Sequence, residues 1–421
     1  MKRLAVAVLA VLAAAALWVA YANYGIQDAV SPAAGDAAPA SAERGAYLAR
    51  AGNCMACHTE RGGLPFAGGR SIDTPFGTVY AGNLTPDSRT GIGQWSSADF
   101  WRALHHGRSR DGRLLYPAFP YPNYTHVTRA DSDALFAYLR TVPAVDRANL
   151  PHRLRWPYST QAALAAWRAL YFRPAVHEDV AGRGAEWNRG AYLVRGLGHC
   201  AACHTARNAL GAGSDMMDLS GGLIPMQNWY APSLASAAEA GMAGWDPAHI
   251  AQLLGTGVAP GATVLGPMAE VVLHSTQYLS PADLGAMAVF LKSVPQAAEE
   301  RPAAAPPPSA GVAQRGARVY GEHCVQCHGE QGQGVAGAYP PLAGNRAVTL
   351  PVTANLVQVV IGGGFSPATA GNPRPYGMPP YATVLSDADI AAVLTHVRGA
   401  WGNRAAPVSE LAVSRQRGGR P

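Results

Sequence analysis

The stretch Cys54-Met55-Ala56-Cys57-His58 decides how this 421-residue chain folds, and its pattern returns twice. The second copy is Cys200-Ala201-Ala202-Cys203-His204, and the third is Cys324-Val325-Gln326-Cys327-His328. The copies account for all six cysteines, so none is left for a structural disulfide. In each copy the two thiols lie about one helical turn apart, and the histidine follows the second thiol directly.

This spacing suits thioether bonds to the two vinyl groups of one porphyrin, with the histidine ring facing the iron. A lone Cys-x-x-Cys is also typical of zinc sites and thiol redox proteins, but three copies with the added histidine favour haem. The sequence therefore predicts three covalently bound haem c groups. Their attachment residues are Cys54, Cys57, Cys200, Cys203, Cys324 and Cys327, and their proximal iron ligands are His58, His204 and His328.

Similar segments surround the three motifs, which indicates a repeated, mainly α-helical domain. Arg44-Gly45-Ala46, Arg189-Gly190-Ala191 and Arg315-Gly316-Ala317 precede the three motifs. After each motif come a glycine-rich stretch, a short helix that ends at a glycine, and a closing helix. We expect short helices at 97–104, 246–254 and 352–361, capped by Gly107, Gly255 and Gly362, and closing helices at 131–140, 280–292 and 386–398.

These patterns divide the chain into three tandem domains at 43–143, 188–295 and 311–403. A connecting segment at 144–187 contains a Trp- and Leu-rich helical pattern, and a Pro- and Ala-rich linker occupies 296–310. A tether at 23–42 precedes the first domain. A basic tail at 404–421 follows the last one, and we expect it to be solvated.

Residues 1–22 are predicted to be a signal peptide or a membrane anchor. Lys2 and Arg3 are followed by an apolar stretch to Ala22, at the lower limit for crossing a ~30 Å hydrocarbon core. Ala20-Tyr21-Ala22 also has the small-x-small pattern of a cleavage site. Either alternative leaves the positive end in the cytoplasm and delivers the rest to the periplasmic side of the bacterial inner membrane.

An electron-transfer haem also takes a sixth ligand, and a methionine thioether there raises the reduction potential. We expect it on the loop before each closing helix. Gly377-Met378-Pro379 and Gly266-Pro267-Met268 meet this condition in the third and second domains. The sequence therefore predicts Met378 and Met268 as iron ligands, whereas Met287, inside a closing helix, is predicted to fill the core.

The first domain has Phe119 where the repeat predicts methionine, and phenylalanine cannot bind iron. His126, seven residues further on, is the preferred substitute. His105 and His106 are alternatives, and an open iron is the remaining one. Ligation by two histidines would give this haem a lower potential than the other two.

The composition gives no sign of a nucleic-acid partner. The formal net charge is +6, but Arg415, Arg417 and Arg420 crowd the tail. No motif indicates a substrate pocket, so no catalytic residue is assigned.

With these residues in place, the chain resembles the three-haem cytochrome c subunits of membrane-bound bacterial dehydrogenases. The resemblance extends from about Arg44 to Asn403 and is carried by Gly77-Thr78-Val79-Tyr80-Ala81-Gly82-Asn83-Leu84, Gly266-Pro267-Met268-Ala269-Glu270 and Tyr376-Gly377-Met378-Pro379-Pro380. It implies class I cytochrome c domains and a subunit that carries electrons from a catalytic subunit to ubiquinone or a terminal oxidase. Independent catalysis is not expected.

The resemblance also bears on the partner. Segment 117–121, Pro-Ala-Phe-Pro-Tyr, and the Trp-containing segment 156–172 look like the branch that accompanies molybdenum/iron-sulfur dehydrogenases of aldehydes or N-heterocycles. The alternatives are a quinoprotein alcohol dehydrogenase and a flavin-dependent sugar-acid dehydrogenase. A second alternative function is a haem peroxidase that uses an open iron in the first domain.

Overall fold

The computed structural model describes residues 1–25, 41–213, 218–297 and 306–418. The chain divides into two compact units. The first comprises 1–181, 192–202 and 207–216, and the second comprises 182–191, 203–206 and 217–421. Both units are mainly helical, as expected, and their strands are short.

The first unit begins with the apolar helix α1 (Lys2–Ala20), which continues into a π-helical turn at Tyr21–Gly25. The helices that follow are α2 (Ala42–Ala51), α3 (Cys54–His58), α4 (Ser97–His106), α5 (Tyr121–Tyr124), α6 (Arg129–Leu139) and α7 (Gln161–Tyr171). Strands β1 (Ser71–Thr74), β2 (Gly77–Tyr80) and β3 (Arg153–Leu154) form one antiparallel sheet in that order. In this sheet Ser71 pairs with Tyr80, and Gly77 pairs with Leu154.

The division between the units falls inside helix α8 (Ala185–Arg195). The later helices are α9 (Ala201–His204), α10 (Pro247–Thr256), α11 (Pro267–His274), α12 (Pro281–Lys292), α13 (Ala310–His323), α14 (Val325–His328), α15 (Arg346–Thr349), α16 (Ala354–Gly362), α17 (Asp387–Gly399) and α18 (Glu410–Gly418). Three antiparallel pairs complete the strands: β4 (Gly222–Ile224) with β5 (Trp229–Ala231), β6 (Val258–Ala259) with β7 (Ala262–Thr263), and β8 (Gly364–Phe365) with β9 (Gly377–Met378).

The glycine that precedes each motif explains how the lead-in helix meets its closing helix. A β-carbon on Gly45, Gly190 or Gly316 would overlap the backbone carbonyl of the closing helix, at Ala134, Ala286 and Ala392 respectively. Only glycine lets two helix backbones approach this closely. The pairs α2 with α6, α8 with α12, and α13 with α17 therefore cross at equivalent places.

The arginine before each of these glycines pairs with an aspartate in the first turn of the closing helix. The distances from guanidinium nitrogen to carboxylate oxygen are 2.6 Å for Arg44 and Asp131, 2.8 Å for Arg189 and Asp283, and 3.9 Å for Arg315 and Asp389. Each aspartate backbone N–H also donates to the hydroxyl that caps its helix, on Thr128, Ser280 and Ser386. In each repeat the arginine forms an ion pair and the glycine allows a close backbone contact. Together the two residues fix how the lead-in helix crosses the closing helix.

Two predicted helix caps are wrong by one or two residues. Gly107 caps α4 with a φ of +56°, as expected. However, α10 passes Gly255 and ends against Gly257 (φ +81°), and α16 includes Gly362 and ends against Gly363 (φ +62°). Since two glycines stand close together at the end of α10 and three at the end of α16, only the backbone conformation identifies the one with positive φ.

The basic tail differs from the solvated segment that we expected. Helix α18 buries Val413 completely, and Arg417 pairs with Asp387 at 2.7 Å. The buried Val413 and the Arg417–Asp387 pair together hold this charged helix in place. At the other end of the chain, the helical segment reaches Gly25, three residues into the predicted tether. Residues 26–40 of the tether and 298–305 of the linker lie outside the described residues.

Candidate haem-binding sites

The cysteines and histidines of the three motifs lie on the short helices α3, α9 and α14 or directly before them. All six cysteines are free of disulfides. Burial raises the pKa of the Cys54 thiol to about 12 and that of Cys324 to about 11. Among the described residues there is no group of three or more His, Cys, Asp and Glu side chains that could hold a metal ion.

The three motif histidines share one orientation. Nδ1 of His58 lies 2.7 Å from the carbonyl oxygen of Gly82, Nδ1 of His204 lies 2.7 Å from that of Pro232, and Nδ1 of His328 lies 3.1 Å from that of Pro340. A carbonyl only accepts, so Nδ1 carries the proton and the lone pair of Nε2 is available for a metal. Burial lowers the pKa of each ring, which keeps it neutral. Two thiols and one imidazole Nε2 at every motif fit a covalently bound haem.

Met378 lies on β9, between Tyr376 and Tyr381 in the sequence. The ring of Tyr376 lies 5.1 Å from that of Tyr339. Tyr339 directly precedes Pro340, whose carbonyl accepts from His328. Burial and the neighbouring thiols of Cys324 and Cys327 raise the pKa of Tyr381, which lies on the other side of Met378 in the sequence. The loop with Met378 is thus held against the segment that carries the motif.

Gly266, two residues before Met268, packs closely on Trp229. Gly266 has a φ of +56°, and a β-carbon on it would meet the indole of Trp229 at 2.6 Å. Trp229 begins β5, and β5 leads directly to Pro232, whose carbonyl accepts from His204. Met268 is half-buried in the first turn of α11. The loop that holds the histidine therefore packs on the loop that carries Met268.

Phe119 packs against a tyrosine of α5. Its ring is 5.3 Å from that of Tyr124. Burial, followed by the nearby thiols of Cys54 and Cys57, raises the pKa of Tyr124 far above its ordinary value. The Tyr124 hydroxyl donates to the carbonyl of Gly52 at 3.2 Å. Tyr124 thus joins Phe119 to the segment around the first motif.

The same tyrosine contacts the region before the second motif. The Tyr124 ring lies 5.6 Å from the ring of His199, the residue that precedes Cys200. Both belong to the first unit. One buried side chain therefore joins the segments that lead into two motifs.

The three histidines considered as substitutes for methionine lie in different surroundings. His126 is half-buried, and burial together with His177 and Arg195 lowers its pKa to about 4. His105 is fully buried and stacks on Trp101 at 4.3 Å, and neither of its ring nitrogens has a hydrogen-bond partner within the described part of the chain. His106 meets the His105 ring edge-on at 4.5 Å. Burial also lowers the pKa of His105 to about 4 and that of His106 to about 3, which favours the neutral form that ligation requires.

Sequence reasoning missed the carbonyls that orient the histidines. A signal was present, because each carbonyl stands two residues before a leucine: Gly82 before Leu84, Pro232 before Leu234, and Pro340 before Leu342. The spacing from histidine to carbonyl varies between 12 and 28 residues. Because this spacing varies, the three carbonyls can be recognised as equivalent only when the fold is known.

Comparisons with known proteins identify the family of this chain. The family model for cytochrome c matches residues 42–143 and 313–401. The cytochrome c subunit of alcohol dehydrogenase (quinone) from Gluconacetobacter polyoxogenes is 39% identical over 88% of this chain and 82% of the relative. The gluconate 2-dehydrogenase cytochrome c subunit of Pantoea cypripedii is 38% identical over 86% of each chain. A nicotinate dehydrogenase subunit of Pseudomonas putida is 40% identical over 93% of this chain, which spans 33% of that longer protein.

The motifs, the orientation of their histidines and the extent of these matches lead to one conclusion. This chain belongs to the cytochrome c family, within the group of cytochrome c subunits of dehydrogenases.

Proposed function

We propose that this chain is the electron-transfer subunit of a membrane-bound dehydrogenase complex and carries three covalently bound haem c groups. It takes electrons from a catalytic subunit and passes them to ubiquinone or a terminal oxidase on the periplasmic side of the bacterial inner membrane. The observation that carries the proposal is one local geometry repeated three times, in which a motif histidine turns Nδ1 to a backbone carbonyl. Haem supplies one-electron chemistry, and the polypeptide binds, spaces and tunes it.

We assign one class I cytochrome c domain to each motif, at 43–143, 188–295 and 311–403. The middle domain is supported by the close approach of Gly190 to Ala286 and by the pair Arg189 and Asp283. Haem content per chain tests the assignment. We expect three haems in the purified protein and two after Cys200 and Cys203 are both replaced by alanine. A native content of two would contradict it.

We assign His58, His204 and His328 as proximal ligands, with Met268 and Met378 opposite the second and third of them. The two methionines raise the potentials of their haems relative to ligation by two histidines. Half-burial of both side chains supports this role, because partial exclusion of water around a thioether favours the reduced, less charged iron.

For the first haem we propose His126 as the sixth ligand. Its low pKa supports a neutral ring, and it stands between Phe119 and α6, as a substitute for methionine requires. In a His126→Leu variant we expect about one third of the reduced haem to gain carbon monoxide binding. Equivalent substitutions of His105 and His106 serve as comparisons. Carbon monoxide binding after one of those changes, and not after His126→Leu, would assign the ligand elsewhere.

Carbon monoxide also tests the alternative that the first domain is a haem peroxidase. A peroxidase requires an iron whose sixth position is open. Phe119 and Tyr124 support the peroxidase alternative only if no side chain occupies that position. Binding of carbon monoxide and turnover of hydrogen peroxide by the unaltered protein would support it. Absence of both would exclude it.

We propose a molybdenum/iron-sulfur dehydrogenase of aldehydes or N-heterocycles as the partner. Support comes from the Pro-Ala-Phe-Pro-Tyr segment and from the relative named for nicotinate, which is an N-heterocyclic acid. Relatives named for quinone-linked alcohol dehydrogenase and for gluconate 2-dehydrogenase support the quinoprotein and flavoprotein alternatives.

The decisive experiment is to purify the protein from membranes of its own cells and add substrates to the complex. Aldehydes or nicotinate should reduce the haems, and ethanol or gluconate should not. Reduction by ethanol or gluconate alone would select an alternative partner. If no dehydrogenase co-purifies and no substrate reduces the haems, the electron-transfer proposal itself fails.

A further inference from the structure

The N-terminal helical segment has the dimensions of a membrane span. It runs from Lys2 to Gly25, 24 residues, and at ~1.5 Å per residue this covers ~36 Å, more than the ~30 Å of a hydrocarbon core. None of the residues of α1 is buried by the protein. The side chains of Leu4, Leu9 and Leu17 are between 65% and 72% exposed. Helix α1 thus leaves its apolar surface uncovered.

The end of this segment, in contrast, is fixed in the first unit through Asn23. Asn23 is only 1% exposed. Its Nδ2 donates to the carbonyl of Ala165 in α7 at 2.9 Å, and its Oδ1 accepts from Nε of Arg168 at 2.9 Å. Its backbone carbonyl accepts from Arg108 at 2.6 Å, and the Arg108 guanidinium lies 4.4 Å from the ring of Tyr24.

Arg168 is itself 1% exposed, and its remaining contacts extend into the first domain. Its Nη2 donates to the carbonyl of His106 at 2.7 Å. Its guanidinium carbon lies 4.9 Å from the ring of Tyr121 and 4.7 Å from that of Phe172. A buried guanidinium is tolerated only when its N–H groups are paired, and Asn23 supplies the acceptor for Nε.

We infer that the N-terminal helix is a permanent, uncleaved anchor in the lipid bilayer, and that Asn23 locks it to Arg168 of the first domain. The partner surface is a lipid hydrocarbon core, which matches the bare apolar helix that begins at Lys2 and Arg3. The lock places the first domain directly at the end of the span. This inference concerns attachment and is independent of which dehydrogenase is the partner.

Cleavage after Ala22 would disrupt this arrangement chemically. It would place a new α-ammonium group on Asn23, next to the guanidinium groups of Arg108 and Arg168. Like charges in a buried site are unfavourable, and no acid is among the contacts of Asn23 given above. Cleavage would also remove Val19, whose carbonyl accepts from Nδ2 of Asn23 at 2.8 Å. The buried contacts therefore fit the uncleaved chain.

The N-terminus of the mature protein tests retention. We expect intact-mass analysis of the full chain from membranes to include residues 4–22, and the protein to stay in the pellet after high-salt and alkaline washing. A mature chain that begins at Asn23 or later would overturn the inference.

Hydrogen exchange tests the lock. In an Asn23→Leu variant of the full holoprotein, we expect exchange at 103–108 and 161–171 to accelerate by on the order of tenfold. Tyr21→Phe is the matched control, since Tyr21 is in the same segment and 62% exposed, and it should exchange like the unaltered protein. Equal exchange in the two variants would overturn the lock. Neither readout uses substrate, so a failure of this inference can be distinguished from a failure of the proposed function.

Discussion

Gly316 lies so close to Ala392 that a β-carbon on it would overlap the Ala392 carbonyl oxygen. The two residues mark the crossing of α13 and α17, and the same crossing returns at Gly45 and Gly190. Helix α13 leads into the third motif, and Met378 lies shortly before α17. We therefore expect the geometry around this motif to depend on the contact between the two helices.

Gly316→Ala should destabilise the third domain. The added methyl group must push α13 and α17 apart, and overpacking of this kind costs about 1–3 kcal/mol. Gly321→Ala is the matched control in the same helix, because nothing lies within 4 Å of a β-carbon there. That change should stabilise by about 0.5–1 kcal/mol. Denaturant unfolding of both variants would check the opposite signs, and equal signs would contradict the close-contact explanation.

Asp283→Asn should weaken the helix pair of the second domain. Nε and Nη2 of Arg189 each donate to one Asp283 oxygen at 2.8 Å, and the Asp283 side chain is only 11% exposed. Loss of a paired, charge-assisted contact costs about 1–3 kcal/mol. Glu322→Gln removes the exposed pair with Arg318 and should cost less than about 1 kcal/mol. Thermal unfolding of the two variants would compare their losses of stability. Similar losses would show that burial of the Arg189 pair is unimportant.

Stability supplied by Asp389 should depend on pH. The Ser386 hydroxyl is the largest cause that lowers the pKa of this carboxyl, and the backbone N–H of Ser386 and nearby Arg315 add to the effect. A lowered folded pKa means that the contribution is complete above the unfolded value of about 3.9 and is lost as the pH falls through the folded value.

The difference in unfolding free energy between the unaltered protein and Asp389→Asn should therefore shrink from pH 6 toward pH 3. Ser386→Ala should cost about 1 kcal/mol at pH 6 and less at pH 3. A difference that grows with acidity would contradict the assigned sign.

Met268→Leu should remove the sixth ligand of the second haem. Leucine keeps the volume of methionine but has no sulfur, so the haem should become high-spin and bind carbon monoxide. Met287→Leu is the control, since Met287 is buried in α12 at 3% exposure and serves as core. Its spectrum and potential should not change. Spectropotentiometry of both variants would check this, and an unchanged spectrum for Met268→Leu would reject the ligand.

Tyr124→Phe should destabilise the first unit by about 1–2 kcal/mol, because the Gly52 carbonyl loses its hydroxyl donor in a buried place. Tyr158→Phe is a suitable comparison, since Tyr158 is 37% exposed and its ring contact with Phe76 needs no hydroxyl. Chemical denaturation followed through the haem absorbance would measure the difference. Equal stability of the two variants would contradict a structural role for the Tyr124 hydroxyl.

Much of the local structure was accessible from the sequence because it depends on neighbouring residues. The Ser386 and Asp389 spacing is typical of a capping box, and the structure has both of its hydrogen bonds. The helix predicted within 144–187 was confirmed at Gln161–Tyr171. The caps at Gly255 and Gly362 were wrong, since neighbouring glycines compete for a single left-handed position. The tail was expected to be solvated because its composition is strongly charged. Composition does not show that Val413 is buried.

By itself, the sequence determined the cytochrome c motifs and the repeat, since covalent attachment of haem fixes the order and spacing of two cysteines and a histidine within one helical turn. Only the tertiary structure decided which carbonyls orient His58, His204 and His328, and that Asn23 meets Arg168 across 145 residues. Such contacts join segments whose separation along the chain varies freely. Their partners are selected by the packing of helices and loops, and no local pattern encodes that choice.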